Sequence, residues 1–297
     1  QLTGTNPFAR QIIAPDVLGD MVASPGTDAL VKSGDGTLTL TADNIYTGST
    51  TVAAGTLLVN NTSGSGTGSG AVTVRSSATL GGSGIIGGTV TVEADGHLAP
   101  GNSPDQQTYG ALTLEAGADF DVEIWGDAPG DGMHGYDQAI VADGPVDVAG
   151  ANLNLFFDNT KYIPAADHTY VIIDNQSAAA VVGEFADLGE GTVFERSGYR
   201  FQITYAGGVG GSGVVLTALA PMVVYVNDDW TTSGDLVDGD LETAANEAAT
   251  VGYDAFATIQ EALDALDTSA PSIVVINQGT YAETVTLPAN ASWMVAK

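Results

Sequence analysis

Apolar and polar residues alternate along much of this chain, and one alternating string keeps returning. It reads glycine, any residue, then two apolar residues with a threonine between them. Copies stand at Gly36-Thr37-Leu38-Thr39-Leu40, Gly70-Ala71-Val72-Thr73-Val74, Gly88-Thr89-Val90-Thr91-Val92 and Gly110-Ala111-Leu112-Thr113-Leu114. In the last three copies a large apolar residue follows at a fixed distance: Leu80, Leu98 and Phe120. The steps from Val72 to Val90 to Leu112 are 18 and 22 residues, and the trailing residues step identically. Alternation of period two predicts strands, with Leu38, Leu40 and Val52 inward and the threonines outward. A self-similar period of about twenty residues predicts a solenoid, in which stacked coils share one core. Gly55, Gly87, Gly88, Gly96 and Gly110 fall where corners need positive φ or close backbone approach.

The pattern divides the chain. Residues 1–30 show no clean period and are punctuated by Asn6-Pro7, Pro15 and Pro25-Gly26, which predicts an extended arm or cap. Residues 31–125 hold the clearest repeats. Residues 126–220 weaken the period but keep its grammar, as in Gly144-Pro145-Val146-Asp147-Val148 and Tyr170-Val171-Ile172-Ile173. The glycine-rich string Gly207 to Gly213 predicts a turn tip whose flanks form a hairpin or a late coil. Near Pro221 the grammar changes. Met222 to Val226 predicts a strand, and an acidic loop follows from Asp228 to Glu242. Phe256, Ile259, Leu263 and Leu266 then lie at helical spacing, with Asp254 as the expected N-cap and Ser269 to Pro271 closing the helix. Strands are expected again at Ile273-Val274-Val275-Ile276, at Thr284-Val285-Thr286-Leu287 and at Trp293-Met294-Val295.

Two stretches carry family likeness. Val31-Lys32-Ser33-Gly34-Asp35-Gly36-Thr37-Leu38-Thr39-Leu40, Asn44, Tyr46-Thr47-Gly48-Ser49-Thr50-Thr51-Val52, Gly55-Thr56-Leu57 and Leu98-Ala99-Pro100-Gly101-Asn102-Ser103-Pro104 resemble the passenger-associated strand repeat of autotransporters. The likeness runs over about 31–217. It implies a right-handed parallel β-helix, displayed on a bacterial surface or secreted from it, whose matched residues are structural. The order helix, apolar strand, Asn277-Gln278-Gly279-Thr280-Tyr281, then Glu283-Thr284-Val285-Thr286-Leu287 resembles the start of a pectin-lyase-like β-helix. In that family such a helix plugs the end of the core. The expected organisation is an all-β chain: arm or cap over 1–30, passenger-like β-helix over 31–220, then acidic loop, capping α-helix and first coil of a second β-helix over 221–297. A second β-helix stopping at Lys297 would leave strand edges open, so further coils of the same polypeptide or another copy are expected to cover that end.

Composition supports this reading. The chain has 297 residues, 44% of them hydrophobic and only 14% charged, with 39 glycines, which suits short strands and tight turns. Seven basic residues against 36 acidic ones give a net charge of −29, which repels phosphate backbones and excludes nucleic acid as an expected partner. No apolar run is long enough to span a bilayer as a helix, so membrane insertion is not expected of this segment. There are no cysteines and hence no thiol chemistry.

The candidate chemistry is sparse. Asp235, Asp238 and Asp240 could offer oxygen ligands to Ca²⁺, with Gly239 permitting a tight turn, or could form a solvated acidic loop. The string is not an EF-hand, because its acidic register fails after Asp238. No cofactor is required by anything in the sequence. His97, His134 and His168 are scattered and form no ligand pair. The string Ser63 to Gly70 lacks the lysine of a phosphate loop. Pectin-lyase-like folds often cleave acidic polysaccharides, but residues 201–296 contain no Lys or Arg to hold such a substrate. The expectation is a non-enzymatic extracellular rod, either a spacer in an adhesin or a head-to-tail filament subunit. The alternatives are a fragment of a polysaccharide-active enzyme and an adhesin that binds surface polysaccharide.

Overall fold

A computed structural model describes residues 10–13, 29–130, 132–158, 160, 162–208, 210–239, 248–269 and 271–287. The expected arm is described only at β1 (Arg10–Ile13) and in its last two residues. Asp240, the Trp293 to Val295 strand and Lys297 lie outside the described residues.

Regular structure is nearly all strand. After β1 come β2 (Leu30–Ser33), β3 (Thr37–Leu40), β4 (Thr50–Val52), β5 (Gly55–Val59), β6 (Val72–Val74), β7 (Ala78–Gly82), β8 (Ile85–Val92), β9 (His97–Pro100), β10 (Gln106–Leu114) and β11 (Asp119–Ile124). Successive strands from β2 onward go alternately to two sheets. One runs β1-β2-β4-β6-β8-β10 and the other β3-β5-β7-β9-β11, with parallel neighbours throughout.

The register reproduces the sequence period. Val72 stands opposite Val90, and Val90 opposite Leu112. Leu80 stands opposite Leu98, and Leu98 opposite Phe120. Leu38 and Leu57 extend that second column, and all five of its members are fully buried. Each such side chain contributes roughly 1.5–3 kcal/mol by leaving water. Thr51, Thr73, Thr91 and Thr113 line up on the opposite face. The Gly36 copy of the pattern behaves differently from the other three. Its Leu38 and Leu40 belong to β3, in the second sheet, because alternation alone does not say which sheet a strand joins.

Polar residues also enter the interior. Thr50 is fully buried, 2.6 Å from the Tyr46 hydroxyl. Lys32 takes an inward position opposite Val52, and its Nζ donates to the carbonyls of Gly34 at 2.7 Å and Ala54 at 2.8 Å. Gly68, in the glycine-rich string, has φ of +66°, and a Cβ there would sit 2.0 Å from the Tyr46 carbonyl oxygen. That is a corner requirement, not a phosphate loop.

The later strands are less regular. They are β12 (Ala128–Pro129), β13 (Gly135–Tyr136), β14 (Gln138–Val141), β15 (Val146–Asp147), β16 (Asn152–Phe157), β17 (Thr169–Asn175), β18 (Val193–Arg196), β19 (Tyr199–Gly207) and β20 (Gly213–Leu219). β14 and β15 both pair in parallel with β10, and β17 pairs with β14. Antiparallel pairing enters at β11 with β13 and recurs at β18 with β19. β19 and β20 are neighbours joined by residues 208–212, a link too short for a parallel crossover, so the glycine-rich tip closes a hairpin.

The chain divides into two compact units. The first comprises Gln1–Phe156, Tyr170–Thr192 and Ile203–Leu216, and the second Phe157–Thr169, Val193–Gln202 and Thr217–Lys297. The second unit contains β21 (Val223–Val226), β22 (Leu236–Asp238), β23 (Ala248–Thr250), β24 (Ala255–Phe256), α1 (Ile259–Ala265) and β25 (Ile273–Ile276). β21 lies between β24 and β25, parallel to both. Val224, Val226, Ala262, Leu263 and Val274 form its core, with Ile259, Leu266 and Phe256 packed against them. The apolar face read from the helical spacing is therefore the buried one, although Phe256 sits on β24 and not on the helix. Residues 277–287 carry no strand, so Thr284 to Leu287 departs from expectation.

Candidate functional site

Thr258, not Asp254, caps α1. Its backbone is extended, with φ of −123° and ψ of 151°, and its Oγ1 accepts from the Glu261 N–H at 3.2 Å. The Thr258 hydroxyl in turn donates to Glu261 Oε2 at 2.9 Å, a variant of the capping box. Glu283 adds a second cap by accepting from the N–H groups of Ile259 and Gln260. Asp254 is occupied elsewhere: its Oδ1 accepts from the Thr250 N–H at 2.6 Å and closes the turn before β24. Burial pushes its carboxyl up to about 6, against the opposing pull of backbone N–H groups.

These caps set the pose of one wall of a groove of about 630 Å³. Glu261, Asp264 and Ala265 of α1 form that wall; Trp230, Thr231 and Ser233 face it from the acidic segment. Val251, Gly252, Ala255, Phe256 and Ala257 line the space between them. Trp230 is held by packing, together with Tyr225 and Val237, against Ala249, Val251 and Ala255. Asp264 is steadied by the Gln260 amide, which donates to its Oδ1 at 2.8 Å. The groove is not legible in the sequence alone, because only the fold brings Trp230 and α1 together. The signal available was an aromatic residue, Trp230, followed closely by the hydroxyls of Thr231 and Ser233.

The candidate calcium residues are placed differently. Asp235 is exposed, and its carbonyl accepts from the Val251 N–H at 2.9 Å. Asp238 is not in a loop but ends β22, opposite Ala248, with Oδ1 unpartnered among the described residues. Among the described residues no group of three His, Cys, Asp or Glu side chains is gathered for a metal. Nearby acidic and amide groups tie backbone together: Asp228 Oδ2 accepts from the Thr280 N–H, and the buried Asn277 amide donates to the Gly239 carbonyl.

The first unit carries its own polar clusters. His97 Nδ1 lies 2.9 Å from Asp121 Oδ2, and Asn154 donates to both Asp119 and Asp121 across the outer sheet face. Asp137 is buried at 3% exposure and accepts from the N–H groups of Asp105 and Glu123, both at 2.8 Å. Burial pushes its carboxyl up to about 8, against those two donors. These residues staple strands; no nucleophile and base are paired among them.

Parallel strands in register, with threonines aligned in one column and buried leucines in another, make a repeat architecture. Residues 30–59 match the family model described as the passenger-associated-transport-repeat. Over 77 residues the chain is 42% identical to the adhesin BmaC autotransporter of Brucella suis biovar 1 (strain 1330). That match covers 26% of this chain and 2% of the Brucella protein, so the chain spans a small fraction of that relative's length. Both similarities support autotransporter passenger repeats in this chain and, with them, an extracellular surface segment.

Proposed function

We propose that the chain is a non-enzymatic segment of a bacterial surface passenger, acting as a stiff spacer. In this reading the two sheets of the first unit close into a right-handed parallel β-helix, and the second unit begins a pectin-lyase-like β-helix. Further coils of the same polypeptide, or another copy, continue the stack. The observation that carries the reading is the register: a repeat period in the sequence returns as columns of Val72, Val90 and Leu112 and of Leu80, Leu98 and Phe120. Stacked repeats of this kind are stiff because each is hydrogen-bonded to its neighbours along the whole strand. The adhesin similarity supports the surface setting. The absence of basic residues over 201–296 argues against turnover of acidic polysaccharides, which need a cationic partner.

The chain has no cysteine, so an engineered pair reports on the stack directly. Thr73→Cys with Thr91→Cys places two thiols on adjacent paired positions, within the range a disulfide spans. Complete bridging with unchanged circular dichroism is expected. Small-angle scattering of the same chain should return an elongated particle. Failure to bridge, a near-spherical particle, or sustained turnover of polygalacturonate would each overturn the reading.

A further inference from the structure

We infer that the groove between Trp230 and α1 binds a protonated amino-sugar unit of a cationic polysaccharide. The inference rests on the second unit alone and does not depend on the spacer reading. A groove of about 630 Å³ falls in the range of small-ligand sites and suits a short run of sugar rings. Its lining has three chemistries that a single ligand class satisfies together. Trp230 and Phe256 supply aromatic surface, which favours the apolar face of a sugar ring and attracts a cation. Thr231 and Ser233 supply hydroxyls that both donate and accept, matching ring hydroxyls. Glu261 and Asp264 stand one helical turn apart on the same wall, each already steadied by one hydrogen bond. A carboxylate has about four acceptor sites, so both keep capacity for an ammonium group.

Charge selects among sugars. No lysine or arginine occurs over 201–296, and the chain carries a net −29, so uronic acids and sulfated or phosphorylated glycans are repelled. A neutral sugar would donate its hydroxyls to the two carboxylates but leave their negative charge uncompensated. A lysine side chain of a peptide would meet the carboxylates but leave the hydroxyls unused. A protonated hexosamine uses all three groups.

Calorimetry at near-physiological salt, with a glucosamine trimer as the probe, tests this. The expected result is saturable binding in mildly acidic buffer, lost in alkaline buffer where the sugar amine is neutral. The fully N-acetylated trimer should bind about tenfold more weakly or worse, a difference of about 1.4 kcal/mol. A galacturonic acid trimer should not bind. Glu261→Gln with Asp264→Asn should lower affinity by about tenfold or more while keeping the fold, because Gln also serves in a capping box. That pair removes only two charges from a net −29, so a diffuse attraction to the whole chain would scarcely change. Perturbation of the Trp230 indole signal by the trimer in the unaltered protein gives a readout that needs no variant. Equal binding of the acetylated trimer, equal binding of oligolysine, unchanged affinity of the double variant, or no binding at all would each overturn the proposal.

Discussion

Asp137 carries the sharpest residue-scale consequence. It is buried, yet it holds two backbone N–H groups that belong to residues 105 and 123. Its folded-state value of about 8 lies above the ordinary carboxylate range. A raised value means the folded state prefers the protonated form. The associated stability is therefore whole at pH values below the unfolded carboxylate range and is lost as pH rises through about 8. Melting temperature should fall over that window, as stability on the order of a few kcal/mol is lost. Asp137→Asn should flatten the slope, although it lowers stability at acidic pH, where an amide N–H would face a backbone donor in place of the neutral carboxyl. An unchanged slope in that variant counts against the assignment. Leu80 offers the apolar counterpart: Leu80→Ala in a fully buried column should cost about 2–5 kcal/mol in a urea melt. Leu80 was legible from spacing alone. Asp137 was not, because its partners stand 32 and 14 positions away and meet only in the stack.

Among the elements, α1 shows how local signals compete. Both Asp254 and Thr258 are good N-cap types, and Asp254 precedes the apolar periodicity. The chain uses Asp254 to close the turn at Thr250 and lets β24 intervene before the helix begins. Thr258→Ala should therefore destabilise by about 1 kcal/mol, since it removes the acceptor for the Glu261 N–H. Asp254→Ala should instead loosen the turn at Thr250 while leaving amide protection at Glu261 intact, a contrast that hydrogen exchange can read. The helix face itself was legible because Ile259, Leu263 and Leu266 must share one side whatever the cap. The groove was not, since its walls come from segments some thirty residues apart whose approach depends on β21 lying between β24 and β25.

For the whole molecule, the register columns predict modularity. Removal of residues 72–89, one full period, should leave a folded protein, since Val90 then takes the place of Val72 and Leu98 that of Leu80. Removal of half that length should abolish the cooperative melt, because every later side chain would change face. Near-equal melting of the two deletions would contradict the stacked register. The same feature has a further consequence for how the chain finds its fold. A column of like residues is indifferent to displacement by a whole period: Leu57 would meet Leu98 as comfortably as Leu80. The unrepeated residues break that degeneracy. Thr50 with Tyr46, Lys32 with its two carbonyls, and the ring of Phe120 stacked 6.0 Å from Phe185 act as index marks along an otherwise uniform scale. Stripped of those marks, the chain should refold into several conformers of different compactness, visible as multiple bands on a native gel.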